Sequence, residues 1–293
     1  MELRGALTAL STPFKNGEVD EEAYRAFIEW QIEQGIDGLV PCGTTGEAAT
    51  LDHDEQGRVI RICVEQAKGR VPVIAGAGSN NTREAVYLTR LAKEAGADGA
   101  LQITPYYNKP TPDGLIAHFK AISEEVPFPI VVYNVPGRTG LNLLPKDLKR
   151  IVDAVPDVIG VKEATGNMIQ AAQVVEECGK DFTLLSGDDF TVLPLLSVGG
   201  RGVISVVSNI MPGEMAGLCK AWEERDMETA LDLSLKLAPV SRAMFMETNP
   251  IPVKTALYMK GIFSSEDFRL PLVNLRSENK PKLEKVLKDA GLL

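Results

Sequence analysis

The stretch Val158-Ile-Gly-Val-Lys-Glu-Ala164 runs four apolar residues straight into a lysine, Lys162. An apolar run this short, without polar alternation, predicts a strand buried on both faces, as in a parallel sheet. Its end lies at the rim of a core. A lysine held there loses hydration, which lowers its pKa, and a neutral amine attacks a ketone to form a Schiff base. A lone lysine also has a plainer role, snorkelling out of the strand end without function. The other reactive side chains weigh between the two.

Those side chains fall after other apolar runs. Gly43-Thr-Thr-Gly-Glu47 follows one run, and Tyr106 and Tyr107 follow another. Tyr133 ends a third and leads into Pro136-Gly-Arg-Thr-Gly140, and a fourth ends in Gly187-Asp-Asp189. Together they supply an amine nucleophile, phenols and hydroxyls for proton relay, and a guanidinium, Arg138, for a carboxylate. Each also has a structural role open to it. Gly-Thr-Thr-Gly can be a loop that starts a helix, a strand-end tyrosine can pack with its hydroxyl in water, and Arg138 can be a solvated charge. Asp188 and Asp189 can cap the next helix. Paired carboxylates also suit Mg²⁺, but no third acidic ligand is evident, so a metal site is not expected. His53 and Asp54 open a helix, where an acid suits the dipole.

The elements that must position these groups alternate. Strand candidates are Gly5–Thr12, Gly38–Cys42, Val71–Ala75, Gly99–Thr104, Pro129–Tyr133, Val158–Lys162, Phe182–Ser186 and Gly202–Val207. Between them lie helical patterns: Glu21–Gln34 capped by Asp20, His53–Lys68, a helix capped by Thr82 and ended by Gly96, and Pro112–Glu125. Further helices start at Pro145, run over Asn167–Cys178 and Phe190–Val198, and open at Pro212. Eight strand–helix units by about residue 225 predict an α/β fold, a (β/α)₈ TIM barrel. An open doubly wound sheet would want a Gly-x-Gly-x-x-Gly turn after an early strand, and none stands there. Residues 1–225 are therefore expected to form the catalytic barrel. Residues 226–293 read helical throughout and are expected to form a C-terminal helical domain packed on it.

Composition narrows the function classes. The 293 residues carry a net charge of −9 without a basic cluster, which disfavours nucleic acid or an anionic membrane as partner. The four cysteines are scattered, without a Cys-x-x-Cys pair, as expected of free thiols in a reducing cytosol. Two histidines, His53 and His118, exclude a histidine-rich metal site. Met1–Gly5 shows no apolar leader, and no run approaches membrane-spanning length, so a cytoplasmic location is expected.

Gly43-Thr-Thr-Gly-Glu47, Tyr133-Asn-Val-Pro-Gly-Arg-Thr-Gly140, Gly160-Val-Lys-Glu-Ala164 and Asn249-Pro-Ile-Pro-Val-Lys254 together resemble the pyruvate-dependent class I aldolase family, to which N-acetylneuraminate lyase belongs. The resemblance covers essentially the whole chain. The lysine motif is shared by the wider family. The Thr-Thr pair and the arginine are similar to the branch that condenses pyruvate with L-aspartate 4-semialdehyde, at the entry to lysine and diaminopimelate biosynthesis. The resemblance implies that Lys162 is the Schiff-base lysine and that Tyr133, Thr44 and Tyr107 form a proton relay. It implies that Thr45 lies near the pyruvate carboxylate, that Arg138 meets the semialdehyde carboxylate, and that Gly187 and Ile204 line the site through their backbones. It further implies that Tyr107 reaches across a tight dimer interface, that the assembly is a homotetramer made of two such dimers, and that no metal or organic cofactor is needed.

A feedback site for L-lysine is implied at Ala49, His53, Asn80, Glu84 and Tyr106. Ala48 and Gln56 stand where lysine-sensitive members often carry serine and a histidine or glutamate, so partial or weak inhibition is expected. Two rival readings are a sister aldolase acting on N-acetylneuraminate or a 2-keto-3-deoxy sugar acid, and a catalytically dead barrel that binds or regulates. Arg138 is less expected in the first, and the set of Lys162, Tyr133, Thr44 and Tyr107 argues against the second.

Overall fold

The computed structural model of the chain describes residues 3–293. Met1 and Glu2, at the head of the stretch expected to carry no leader, lie outside the described residues.

Eight parallel strands make one sheet: β1 (Gly5–Ala9), β2 (Gly38–Val40), β3 (Ile74–Gly76), β4 (Gly99–Ile103), β5 (Ile130–Asn134), β6 (Val158–Glu163), β7 (Thr183–Ser186) and β8 (Gly202–Ser205). Their spatial order is β2-β1-β8-β7-β6-β5-β4-β3, and a parallel bridge from Leu39 to Val73 joins the two ends. The sheet is therefore closed, and the expected (β/α)₈ barrel is the fold. β3 and β5 run one residue past the expected ends, while β1, β2, β4 and β8 stop a residue or more short of them because the chain leaves the ladder as soon as it enters the rim loops. β6 also runs one residue past and includes Glu163, so that Lys162 is paired inside the sheet with Tyr133 on one side and Leu185 on the other.

The helices of the barrel are α1 (Glu21–Glu33), α2 (His53–Ala67), α3 (Thr82–Glu94), α4 (Pro112–Glu125), α5 (Pro145–Ala154), α6 (Met168–Cys178), α7 (Val192–Ser197) and α8 (Pro212–Glu223). Asp20 caps α1 as expected, its side chain accepting from the Ala23 N–H. The cap of α3 is Asn81, not Thr82: Asn81 accepts from the Arg83 N–H while Thr82 is already helical. α2 starts from a reciprocal capping box between Asp52 and Glu55. α7 is shorter than expected, since Phe190 belongs to a 3₁₀ turn, Asp189–Thr191.

The C-terminal part departs further from expectation. It holds α9 (Met227–Met244), α10 (Ile251–Met259) and α11 (Lys280–Asp289), but residues 260–279 contain no helix. Gly261 turns to φ +77° just past α10, and Pro271 has no N–H to give a helix. The irregular stretch is pinned instead by Arg269, whose guanidinium forks onto Glu55 at 2.6 and 2.7 Å and donates to the carbonyls of Gly17 and Thr50.

Side chains alternate across each strand. Leu7, Val40, Ile74, Leu101, Val131, Tyr133, Leu185 and Ile204 fill the barrel interior. Larger apolar layers lie between strands and helices. No helix among the described residues is long and apolar enough to cross a membrane.

Candidate active site

A cavity of about 160 Å³ opens at the C-terminal ends of the strands, walled by Thr44, Thr45, Tyr133, Arg138, Lys162, Gly187 and Asn249 among others. A larger one of about 460 Å³ shares Thr44, Tyr133, Arg138 and Asn249 with it and extends towards α2 and α3. A third hollow, about 1310 Å³, lies at the other end of the barrel around Gly5, Asp37 and Arg201 and holds none of the candidate residues. Chemistry in this architecture gathers at the C-terminal face, so the two smaller cavities are the relevant ones.

Lys162 and Tyr133 sit side by side in register on β6 and β5. The Lys162 Nζ is 4.3 Å from the centroid of the Tyr133 ring. Burial brings the Lys162 amine down to about 8; the negative charge of Asp189 opposes this and the positive charge of Arg138 adds to it. About a tenth of the amine is thus unprotonated at pH 7, far more than for an ordinary lysine, and a nucleophile requires that free base. Burial pushes the Tyr133 phenol up to about 12, against the charge of Arg138 and a hydrogen bond with the Thr44 side chain. The phenol therefore keeps its proton and can pass it on, with Thr44 as the next hydroxyl.

Gly187 explains itself by contact. A Cβ there would stand 2.7 Å from the Ala164 Cβ and 3.1 Å from the Lys162 Cγ and Cε, so any side chain would displace Ala164 and crowd the lysine. Arg138 comes from a one-turn helix, Pro136–Thr139, after β5, and is exposed on the cavity rim. Thr45 is buried and its hydroxyl oxygen accepts from the Asn249 Nδ2 at 3.0 Å.

Not every predicted residue gathers there. Ile204 is buried in the barrel interior but is not part of the cavity wall, whereas Val206, two residues on, is. Tyr107 is 89% exposed at φ +66°, away from both cavities of its own chain. Ala49, His53, Glu84 and Tyr106 line the larger cavity, as do Ala48 and Gln56. Asn80 does not; its carbonyl accepts from the Asn108 side chain. His53 Nε2 and Glu84 Oε1 are 3.0 Å apart, and Ser79 donates to the other Glu84 oxygen, which together hold that carboxyl below its usual range.

Three features were not read from the sequence. Asp189 is not a cap: its carboxylate accepts from the N–H groups of Val206 and Val207 at 3.0 and 3.1 Å, and burial raises it to about 6. Asp188 caps the 3₁₀ turn, so the two acids serve different donors. Asn249 touches Thr45 and Arg138 at once. Glu47 and Lys254 form a fully buried ion pair at 2.6 Å. The Asn249–Lys254 motif was visible, but only the fold shows that it returns to the Thr44–Thr45 turn.

A buried lysine of lowered pKa beside a phenol, inside a (β/α)₈ barrel, defines a Schiff-base-forming aldolase-type lyase. Known proteins agree. The family model of the dihydrodipicolinate synthetase family matches residues 2–290. A 4-hydroxy-tetrahydrodipicolinate synthase of Maridesulfovibrio salexigens is 68% identical over the full length of both chains. Among solved structures, the dihydrodipicolinate synthase of Acinetobacter baumannii complexed with pyruvate is 42% identical, with a TM-score of 0.97 over 100% of both chains. That of Cyanidioschyzon merolae with lysine bound is 38% identical, with a TM-score of 0.95 over 99% of both. The chain belongs to the dihydrodipicolinate synthetase family.

Proposed function

We propose that this enzyme condenses pyruvate with L-aspartate 4-semialdehyde to give 4-hydroxy-tetrahydrodipicolinate, in lysine and diaminopimelate biosynthesis. The observation that carries the mechanism is the buried Lys162 amine at about 8 beside the Tyr133 ring. The Lys162 nitrogen attacks the pyruvate ketone, and Tyr133 and Thr44 deliver and remove the protons that let water leave. The iminium draws electrons from the methyl group, which loses a proton and becomes an enamine. The enamine carbon adds to the aldehyde. The amine of the semialdehyde portion then displaces Lys162 and closes the ring. The lysine provides the electron sink, so the reaction needs no metal or organic cofactor.

Thr45 is assigned to the pyruvate carboxylate and Arg138 to that of the semialdehyde, which a guanidinium binds in bidentate fashion. The backbones of Gly187 and Ile204 are assigned to the wall. Tyr107, which is 89% exposed, completes the relay of a neighbouring protomer in a homotetramer of two tight dimers. We assign a weak L-lysine site to Ala49, His53, Asn80, Glu84 and Tyr106, of which all but Asn80 line the larger cavity, with Glu84 and Asn80 as polar partners for the bound amino acid. Initial rates that stay unchanged at about 10 mM lysine, a generous level for an amino-acid site, would overturn that assignment. Residues 226–293 are taken as a helical domain that serves the barrel, and the enzyme as cytoplasmic.

The test is turnover. The purified enzyme should consume pyruvate and L-aspartate 4-semialdehyde in equal amounts. Cleavage of N-acetylneuraminate or a 2-keto-3-deoxy sugar acid, with the semialdehyde left untouched, would move the assignment to a sister aldolase.

A further inference from the structure

The segment from Asn249 to Lys254 grips the barrel rim at two points. The Lys254 Nζ meets the Glu47 carboxylate, with both side chains fully buried and the ammonium 4.0 Å from the Phe14 ring centroid. This grip fixes the end of the Gly43–Glu47 turn, where Glu47 sits at φ +55° and its N–H donates to the Thr44 carbonyl at 3.1 Å. Asn249 makes the second grip. It is 6% exposed and walls both cavities. Its Nδ2 donates to the Thr45 Oγ1 at 3.0 Å, and its backbone carbonyl accepts from the Arg138 Nη2 at 3.2 Å.

A hydroxyl has one hydrogen to give and two lone pairs to receive with, whereas a carboxylate only accepts. With Asn249 donating into a Thr45 lone pair, the Thr45 hydrogen is left for an acceptor in the cavity. The Arg138 guanidinium spends one N–H on the Asn249 carbonyl, and Arg138 lines both cavities. We propose that Asn249 is a positioning residue that makes the Thr45 hydroxyl a donor to the pyruvate carboxylate and anchors Arg138 beside it. This rests on the assignment of Thr45 to that carboxylate. Asparagine is required rather than any residue of its shape, because an isosteric aspartate would accept the Thr45 hydrogen and take it away from substrate.

The test uses the full-length enzyme and steady-state kinetics with both substrates, together with thermal melting. Asn249→Ala should raise the pyruvate KM about tenfold, the worth of one hydrogen bond. Asn249→Asp should raise it further, although it keeps the shape. The double variant Asn249→Ala/Thr45→Val should be no worse than Thr45→Val alone, since both changes act through one hydroxyl. A purely structural role predicts the opposite order, with the isosteric Asp milder than Ala and the effects tracking loss of melting temperature. That order, or fold-changes that multiply in the double variant, would overturn the proposal. If Asn249→Asp does not fold, the Ala/Val cycle decides alone. A pyruvate KM unchanged by Thr45→Val itself would show instead that the assignment of Thr45 is wrong, and this proposal would fall with it.

Discussion

Lys162 and Tyr133 are register partners on adjacent parallel strands, with the amine 4.3 Å from the centre of the phenol ring. Both side chains are nearly sealed from solvent, at 5% and 8% exposure. Burial moves their pKa values in opposite directions, each towards its neutral form. The amine becomes a nucleophile and the phenol stays a proton carrier for the same physical reason.

This fixes the expected pH dependence. The Lys162 amine is lowered to about 8 from an ordinary 10.5, so the reactive free base grows as pH rises through about 8. The rate of pyruvate imine formation should therefore climb through about pH 8 and level off above it. The same lowering means that the unfolded chain binds more protons between the two values. Lys162 thus contributes a gain in stability as pH rises across that window. Trapping rates between pH 6 and 10 would check the first point, and a rise centred near the ordinary lysine value would contradict it.

Replacing Tyr133 by Phe removes the hydroxyl and leaves the ring beside the lysine. Proton relay of this kind contributes roughly 10²–10⁴-fold. We expect Tyr133→Phe to lower kcat within that range while the fold and melting temperature stay close to the parent. A kcat unchanged in Tyr133→Phe would remove Tyr133 from the relay.

Gly187→Ala places a methyl 3.1 Å from two carbons of the Lys162 side chain. The same methyl stands 2.7 Å from the Ala164 Cβ, so Ala164 must shift and the lysine must give by a few tenths of an ångström; a misplacement of the reacting group costs up to about 10²-fold in rate. Comparing the yield of pyruvate adduct with the parent enzyme measures this, and an equal yield at equal rate would show that the contact yields.

The buried pair of Glu47 and Lys254 makes a prediction about stability. Lys254→Met leaves the sealed Glu47 carboxylate without its ion-pair partner, with the Arg269 N–H at 3.5 Å still donating to it, at a cost of about 3–5 kcal/mol. The paired change Glu47→Gln/Lys254→Met should recover most of the loss, because the remaining charge is gone. Denaturant unfolding of the three proteins decides it, and a double variant as unstable as Lys254→Met would contradict the account.

Much of the barrel was legible because its signals are local. Short apolar runs such as Val158–Val161, bounded by glycine or proline and alternating with capped helices, leave little choice besides a parallel sheet. Lys162 and Tyr133 were legible as strand-end residues, but their adjacency was not, since register between β5 and β6 is set across 29 residues of chain. The irregular stretch 260–279 was misread as helix because its order comes from Arg269 reaching back to Glu55, Gly17 and Thr50. Asn249, Asp189 and the Glu47–Lys254 pair were missed for the same reason: each acquires its role only from partners brought close by closure of the barrel.

The most direct test of the central claim is covalent. The enzyme is incubated with pyruvate and borohydride, digested, and mapped by mass spectrometry. A single reduced pyruvate adduct on Lys162, absent from Lys162→Ala, is the predicted result. An unmodified protein, or an adduct on Lys254 or any other lysine with Lys162 untouched, would contradict it.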